Sequence, residues 1–142
     1  DLFNVYFFNH WNFEKKYLID TLSKLKRPNY KKVISKIYGL YAAKEGKSRW
    51  GDKNPYHTLS TRIIQELFPN ALFIHIVRDG RDAVVSLRHT WWGKKKTLSQ
   101  AANNWKKFVD TGNTFVKNNP AFTIEIKYED LVSNPEKIVR NI

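Results

Sequence analysis

One stretch decides the fold of this chain: Phe73-Ile-His-Ile-Val-Arg-Asp-Gly-Arg-Asp-Ala-Val-Val-Ser86. It predicts a short buried strand, a tight turn at Asp79-Gly80 and a helix that begins near Arg81. Two polar side chains are binding candidates, Arg78 at the carboxyl end of the strand and Ser86 in the second helical turn. Ligands of open α/β sheets bind beyond the carboxyl ends of the strands. A cation beside a helix N-terminus with free N–H groups therefore predicts an anion site.

Length and composition predict one globular domain. The 142 residues suffice for a single core, and 42% hydrophobic residues, with 15% aromatic, argue against disorder. Because the chain has no cysteine, disulfides and Cys-based metal sites are excluded. No apolar run approaches the roughly 20 residues of a membrane-spanning helix, and no signal-peptide pattern opens the chain. The absence of methionine predicts an excerpt from a longer protein.

The net charge of +12 is large for a chain of this size. It favours an anionic partner, which could be nucleic acid, an acidic membrane surface or a small polyanion. Charge alone does not choose among the three. Solvated surface lysines without a partner are the plain alternative.

The spacing of apolar residues predicts helices that alternate with a few strands. Helices are expected at 13–25, 30–44, 54–67, 81–90, 98–116 and from 134 onward, strands at 72–77 and 122–127, and a turn at 128–132. Residues 1–12 are expected to be irregular or a short helix. This order predicts a three-layer α/β domain with a parallel sheet, whose first strand is covered on both faces. His75 in that strand is interpreted as a packed core histidine rather than a ligand.

A second candidate site precedes the third predicted helix, in Trp50-Gly-Asp-Lys-Asn-Pro-Tyr-His57. Asn54 and Pro55 are typical of a helix start, because asparagine caps free N–H groups and proline suits the first helical position. Lys53 therefore lies where a lysine and a helix N-terminus both stabilise an anion. An ordinary surface lysine is the alternative on position alone.

Several common sites are absent from the sequence. It has no G-x-x-x-x-G-K-[ST], G-x-G-x-x-G, G-x-S-x-G or H-E-x-x-H motif, and its four histidines are not spaced for a metal. What remains is a basic, serine-bearing pocket at strand ends, with Lys53 at a helix start and Tyr128 after the second strand. These residues favour a nucleotide-like polyanion over a hydrolase or redox site.

Three segments, in the expected order, resemble the sulfotransferases that use PAPS (3′-phosphoadenosine 5′-phosphosulfate). Residues 73–86 resemble the 3′-phosphate-binding segment, residues 50–57 the K-[ST]-P segment, and Tyr128-Glu-Asp-Leu-Val-Ser-Asn-Pro-Glu136 the Y-E-D-L…P segment. The resemblance implies an α/β fold, a P-loop-NTPase-like parallel sheet flanked by helices and incomplete in this excerpt. It implies one partial domain over 1–142, in which 50–142 form the cofactor half. Residues 1–49, expected to be helical, are a candidate acceptor-side insertion.

The resemblance also implies roles for single residues. Arg78 and Ser86 would bind the 3′-phosphate, Tyr128 would lie near the nucleotide, and Lys53 would face the sulfuryl group. His57 is the best candidate for the general base, since imidazole suits neutral pH, although it also fits as a plain residue of a first helical turn. No metal is required, because lysine and arginine can supply the positive charge.

The glycine-rich loop that holds the 5′-phosphosulfate in this family has no counterpart in residues 1–49. The triplet Gly46-Lys47-Ser48 follows a predicted helix rather than a strand, so it is interpreted as a helix stop.

The expected function is transfer of a sulfuryl group from PAPS to a hydroxyl or amine of a small-molecule, carbohydrate or peptide acceptor. The alternative is a non-catalytic module that binds anions or nucleic acid, with nucleic acid the less favoured partner. A cytoplasmic location is favoured, and a Golgi location would require an upstream membrane anchor. The oligomeric state stays open.

Overall fold

A computed structural model of the chain describes residues 11–91 and 93–142. The expectation for residues 1–12 therefore falls mostly outside the described residues. The chain divides into two compact units, Asp1–Lys53 and Asn54–Ile142. Among the described residues, none of the helices combines the length and the hydrophobicity that a bilayer crossing requires.

In the first unit, the described residues from position 11 onward form two α-helices, α1 (Lys15–Ser23) and α2 (Tyr30–Lys44). Both confirm predicted helices, and they pack together around the buried side chains of Leu18 and Ile37. The side chain of Asn29 accepts a hydrogen bond from the Lys32 N–H and caps α2. Gly46 follows α2 with a φ of 64°, a conformation that favours glycine, and it is the helix stop that the sequence predicts.

The second unit contains the sheet. Its elements in chain order are a 3₁₀ helix (Pro55–Ser60), α3 (Thr61–Leu67), β1 (Phe73–Val77), α4 (Gly80–Arg88), α5 (Leu98–Asn118), a 3₁₀ turn (Pro120–Phe122), β2 (Thr123–Lys127), α6 (Tyr128–Ser133) and α7 (Pro135–Arg140). The long helix α5 begins with a capping box, in which Thr97 and Gln100 exchange hydrogen bonds between side chain and backbone.

The two strands form a parallel sheet, in register from Phe73 opposite Thr123 to Val77 opposite Lys127. The chain is thus mixed α/β, with a small two-stranded parallel sheet among helices. Helix α5 covers one face of this sheet, where the rings of Phe73 and Phe115 meet edge to face at 4.8 Å. Because both strands end at the same level, the residues that follow them emerge side by side.

Two expectations need correction, and a third is met on one face of the sheet. The helix expected at 54–67 is interrupted, because the backbone of Ser60 (φ −126°, ψ 12°) leaves the helical region between the 3₁₀ helix and α3. The turn expected at 128–132 is the short helix α6, whose first turn carries acidic residues that stabilise a helix N-terminus. Strand β1 is covered on one face only: Ile74 and Ile76 on the other face are each 49% exposed.

Candidate functional site

The parallel register brings Arg78 and Tyr128 together at the carboxyl ends of the two strands. Arg78 follows β1 and Tyr128 follows β2, and the guanidinium carbon of Arg78 lies 4.9 Å from the centroid of the Tyr128 ring. At this distance the cation is attracted to the ring face. The stacking restricts a long side chain to a defined direction at the sheet edge, which is where α/β proteins bind ligands.

The guanidinium of Arg78 has hydrogen-bonding capacity that the protein does not use. Its Nε is buried, and within the described residues it has no hydrogen-bond partner. Buried donors are usually paired, so an orphaned one marks a place where a ligand acceptor fits. A phosphate oxygen is such an acceptor, because arginine binds phosphates through parallel charge-assisted hydrogen bonds. The residues present therefore fit the 3′-phosphate of PAPS.

The start of α4 differs from the expected free N-terminus. The carboxylate of Asp79 accepts from the Arg81 backbone N–H at 2.8 Å and from the Arg81 guanidinium at 3.1 and 2.8 Å. The hydrogen bond from the Arg81 side chain, followed by that from its backbone, lowers the pKa of Asp79 to about 2. A carboxylate of this chain therefore already lies at the helix end. The positive charge that we expect an anionic ligand to contact is therefore that of Arg78 rather than that of the helix N-terminus.

Ser86 lies on the exposed part of α4. Within the described residues its hydroxyl makes no hydrogen bond, either to Arg78 or to any other group. The hydroxyl is thus available as a donor, but the structure does not join it directly to the Arg78–Tyr128 pair.

His57 and Lys53 lie apart from that pair along the chain. His57 is half-buried in the 3₁₀ helix, which packs on α5 through an edge-to-face contact of the Tyr56 and Phe108 rings at 5.5 Å. Lys53 is exposed and is the last residue of the first unit, whereas the other candidates belong to the second.

The segment before Lys53 is held on helix α2 by Tyr38. The ring of Trp50 stacks on the ring of Tyr38 at 4.7 Å, and the Tyr38 hydroxyl is hydrogen-bonded to Asp52. Burial, and then the nearby Asp52 carboxylate, raise the pKa of Tyr38 well above its usual range. Trp11 packs against the same ring at 5.0 Å. Helical spacing alone does not predict this role of Tyr38, because it says nothing about the hydroxyl group.

Two further residues at the site were not recognised from the sequence. The indole Nε1 of Trp105 donates to the Arg78 carbonyl at 3.2 Å, and the Asp79 N–H donates to Glu129 at 3.0 Å. The hydrogen bond from the Asp79 backbone is the main reason that the pKa of Glu129 lies below its usual value. Glu129 directly follows Tyr128, and this adjacency is the one signal that could have identified it.

His75 is packed, as the sequence predicted, but it also has a polar partner. Its side chain is 15% exposed, and its Nδ1 lies 3.1 Å from the carboxylate of Glu125 in the neighbouring strand. Across the described ranges, histidine and acidic side chains form no group of three or more that could hold a metal.

Open α/β proteins bind ligands beyond the carboxyl ends of their parallel strands, and in this chain Arg78 lies there. The profile of the sulfotransferase family matches residues 8–142, and the chain belongs to this family of PAPS-dependent transferases. Membership implies a P-loop-like fold. The resemblance seen in the three sequence segments is thereby confirmed.

Curated relatives match over part of their length. The omega-hydroxy-beta-dihydromenaquinone-9 sulfotransferase Stf3 of Mycobacterium bovis and that of Mycobacterium tuberculosis are 32% identical over 105 residues, 63% of this chain and 26% of theirs. Protein-tyrosine sulfotransferase 1 of Danio rerio is 28% identical over 99 residues, 64% of this chain and 27% of its own. The chain thus spans about a quarter of the length of these relatives. No solved structure matches it.

Proposed function

We propose that this chain provides the 3′-phosphate-binding part of an enzyme that transfers a sulfuryl group from PAPS to an acceptor. One observation carries the proposal: the buried Nε of Arg78 has no partner among the described residues, on a guanidinium stacked over Tyr128 at the strand ends. Membership of the sulfotransferase family supports the same ligand.

The candidate residues take distinct parts in this reaction. Arg78 binds the 3′-phosphate as a charged fork, Ser86 adds a hydroxyl donor, and the Tyr128 ring lies beside the nucleotide. Lys53 stabilises negative charge on the transferring group or on the leaving phosphate, and His57 accepts the proton of the acceptor. PAPS, when bound, supplies the sulfuryl group. Since such transfer depends mainly on positioning and charge stabilisation, these residues match its needs.

The fold proposal goes further than the two strands described. We propose that they belong to a three-layer, P-loop-NTPase-like parallel sheet with helices on both faces. The exposure of Ile74 and Ile76 supports this, because a strand of continuous apolar sequence is typical of a sheet covered on both sides. In this proposal residues 50–142 form the cofactor half, and the helical residues 1–49 are an insertion on the acceptor side.

The acceptor we propose is a hydroxyl group. The names of the relatives refer to a hydroxylated menaquinone in one case and to protein tyrosine in the other, and both carry hydroxyls. An amine acceptor is the less supported variant. A small molecule, a carbohydrate and a peptide all remain within the proposed class.

Calorimetry with PAP (3′-phosphoadenosine 5′-phosphate) at moderate salt tests the proposal. Arg78→Ala should weaken PAP binding by about a hundredfold, since charge-assisted bonds to a phosphate are lost. Arg88→Ala is the matched control, an exposed arginine of the same region that should leave affinity unchanged. Equal affinities for wild type and Arg78→Ala would overturn the assignment.

The net charge of +12 favours a second candidate, a module that binds nucleic acid through its surface lysines. For this second candidate, the effects expected of the arginine and lysine variants are reversed. Replacing the exposed Lys94 and Lys95 by alanine should weaken binding to single-stranded nucleic acid and flatten its salt dependence, while Arg78→Ala should have no special effect.

A further inference from the structure

A single peptide group connects the proposed site to two distant helices. The peptide bond between Arg78 and Asp79 has one carbonyl oxygen and one N–H, and both are bound by side chains. The carbonyl accepts from the indole N–H of Trp105 in α5 at 3.2 Å. The N–H donates to the carboxylate of Glu129 in α6 at 3.0 Å.

This peptide group lies where neither strand nor helix supplies partners. Strand β1 ends at Val77 and α4 begins at Gly80, so residues 78 and 79 are outside both hydrogen-bonding patterns. Its two side-chain hydrogen bonds hold the backbone directly after the Arg78 α-carbon, from which the guanidinium side chain extends. If the peptide plane turned over, the carbonyl and the N–H would exchange places and both side-chain hydrogen bonds would be lost.

Packing restricts the same turn from the Trp105 side. A β-carbon built on Gly80 would lie 3.1 Å from the ring atoms of Trp105, so the indole lies flat against a residue without a side chain. From the other side, the first two residues of α6 act on Arg78 together. Tyr128 contacts its guanidinium, and Glu129 binds the N–H of the next residue.

If the side chain of Glu129 contacted the ligand directly, its negative charge would weaken the binding of an anion. Its pKa is lowered by the Asp79 N–H, so the side chain is ionised at neutral pH. A carboxylate close to Arg78 opposes the binding of an anion. Its geometric role, as an acceptor for one backbone N–H, is therefore separable from its charge.

We propose that Glu129 and Trp105 are positioning residues for Arg78, which hold the 78–79 peptide group so that the guanidinium faces the nucleotide 3′-phosphate. This inference rests on the proposed function. Glu129 does not itself contact the ligand in this arrangement. It acts through the backbone that carries Arg78.

Variants at position 129 separate the hydrogen bond that Glu129 accepts from the effect of its negative charge. Glu129→Ala should weaken PAP binding by about tenfold, the loss of one hydrogen bond to a charged group. Glu129→Gln keeps an acceptor oxygen and removes the charge, so it should bind PAP as tightly as wild type or more tightly. Asp130→Ala is the matched control, an exposed acidic residue in the same helical turn that should leave affinity unchanged.

Two readouts distinguish positioning from a loss of stability. Affinity for adenosine 5′-phosphate, which lacks the 3′-phosphate, should be similar in wild type and Glu129→Ala, so that only the preference for PAP falls. Exchange of the Asp79 amide proton should accelerate in Glu129→Ala but not in Glu129→Gln. Trp105→Phe, which keeps a ring and loses the indole N–H, should reduce the preference for PAP in the same direction.

The outcomes also separate this inference from the proposed function. If Arg78→Ala weakens PAP binding while Glu129→Ala does not, the positioning role is wrong and the 3′-phosphate site stands. If alanine and glutamine at position 129 tighten binding equally, Glu129 acts through charge alone and the inference is overturned. A folded wild-type protein that does not bind PAP overturns both.

Discussion

The imidazole of His75 occupies the space above Gly112, so that a β-carbon at Gly112 would lie 2.2 Å from its Nε2. Helix α5 therefore passes close to strand β1 at a residue that has no side chain. The opposite ring nitrogen of His75 lies 3.1 Å from the Glu125 carboxylate, which fixes the ring in place and leaves it little room to move aside. The close approach of α5 to β1 at this point thus depends on the absence of a side chain at Gly112.

Gly112→Ala should therefore destabilise the protein by about 1–3 kcal/mol, the usual cost of inserting a group into a filled space. Gly39→Ala is the matched control. It is also a mid-helix glycine, but a β-carbon there meets nothing within 4 Å, so it should stabilise by about 0.5–1 kcal/mol. Urea unfolding measures both. An equal increase in the free energy of unfolding for both variants would contradict the close approach of Gly112 to His75.

Tyr38 should make the stability of the protein sensitive to alkaline pH. Its pKa is raised in the folded state, so its contribution is fully present below pH 10.0, the ordinary tyrosine value, and is lost as the pH rises further. Thermal midpoints should thus fall more steeply above about pH 10 for wild type than for Tyr38→Phe. Tyr17→Phe, at a half-exposed tyrosine of the first unit, should leave the wild-type slope unchanged.

The carboxyl group of Asp79 should make the stability of the protein sensitive to acidic pH. Its pKa falls from 3.8 to about 2 on folding, so its contribution is present above pH 3.8 and is lost as the pH falls through about 2. Asp79→Ser keeps a capping hydroxyl and lacks the titrating group, so its thermal midpoint should depend less on pH in this window. Superimposable acid profiles would show that the Asp79–Arg81 pair adds nothing to stability.

Lys53 should act on turnover rather than on affinity. If the proposed function holds and its charge is felt mainly in the transition state, Lys53→Ala should lower kcat by about 10²–10³-fold while PAP affinity changes by less than about threefold. Lys47→Ala is the control, since Lys47 is another exposed lysine of the same unit. An unchanged kcat would mean that Lys53 is an ordinary surface lysine.

Local patterns predicted most of the helices and both strands. The caps are local signals: Asn29 binds the N–H of Lys32, and Asn54 binds that of Tyr56. The errors fell where local signals were weak or misleading. At residues 128–132 the interpretation as a turn overlooked the acidic first turn of α6. In β1 a continuous apolar run predicts cover on both faces, of which the described residues provide one, because an apolar run does not specify which neighbours cover it.

By itself, the sequence determined that an arginine follows an apolar strand, that a tyrosine follows the next one, and that the chain resembles the sulfotransferases. Neighbouring residues encode each of these features. Only the tertiary structure decided what holds Arg78, since Trp105 is 27 positions and Glu129 is 50 positions from the atoms they bind. No periodicity of a helix or strand relates residues so far apart. They meet because parallel pairing of β1 with β2 brings α6 to the end of β1, and because α5 packs across the turn that follows it.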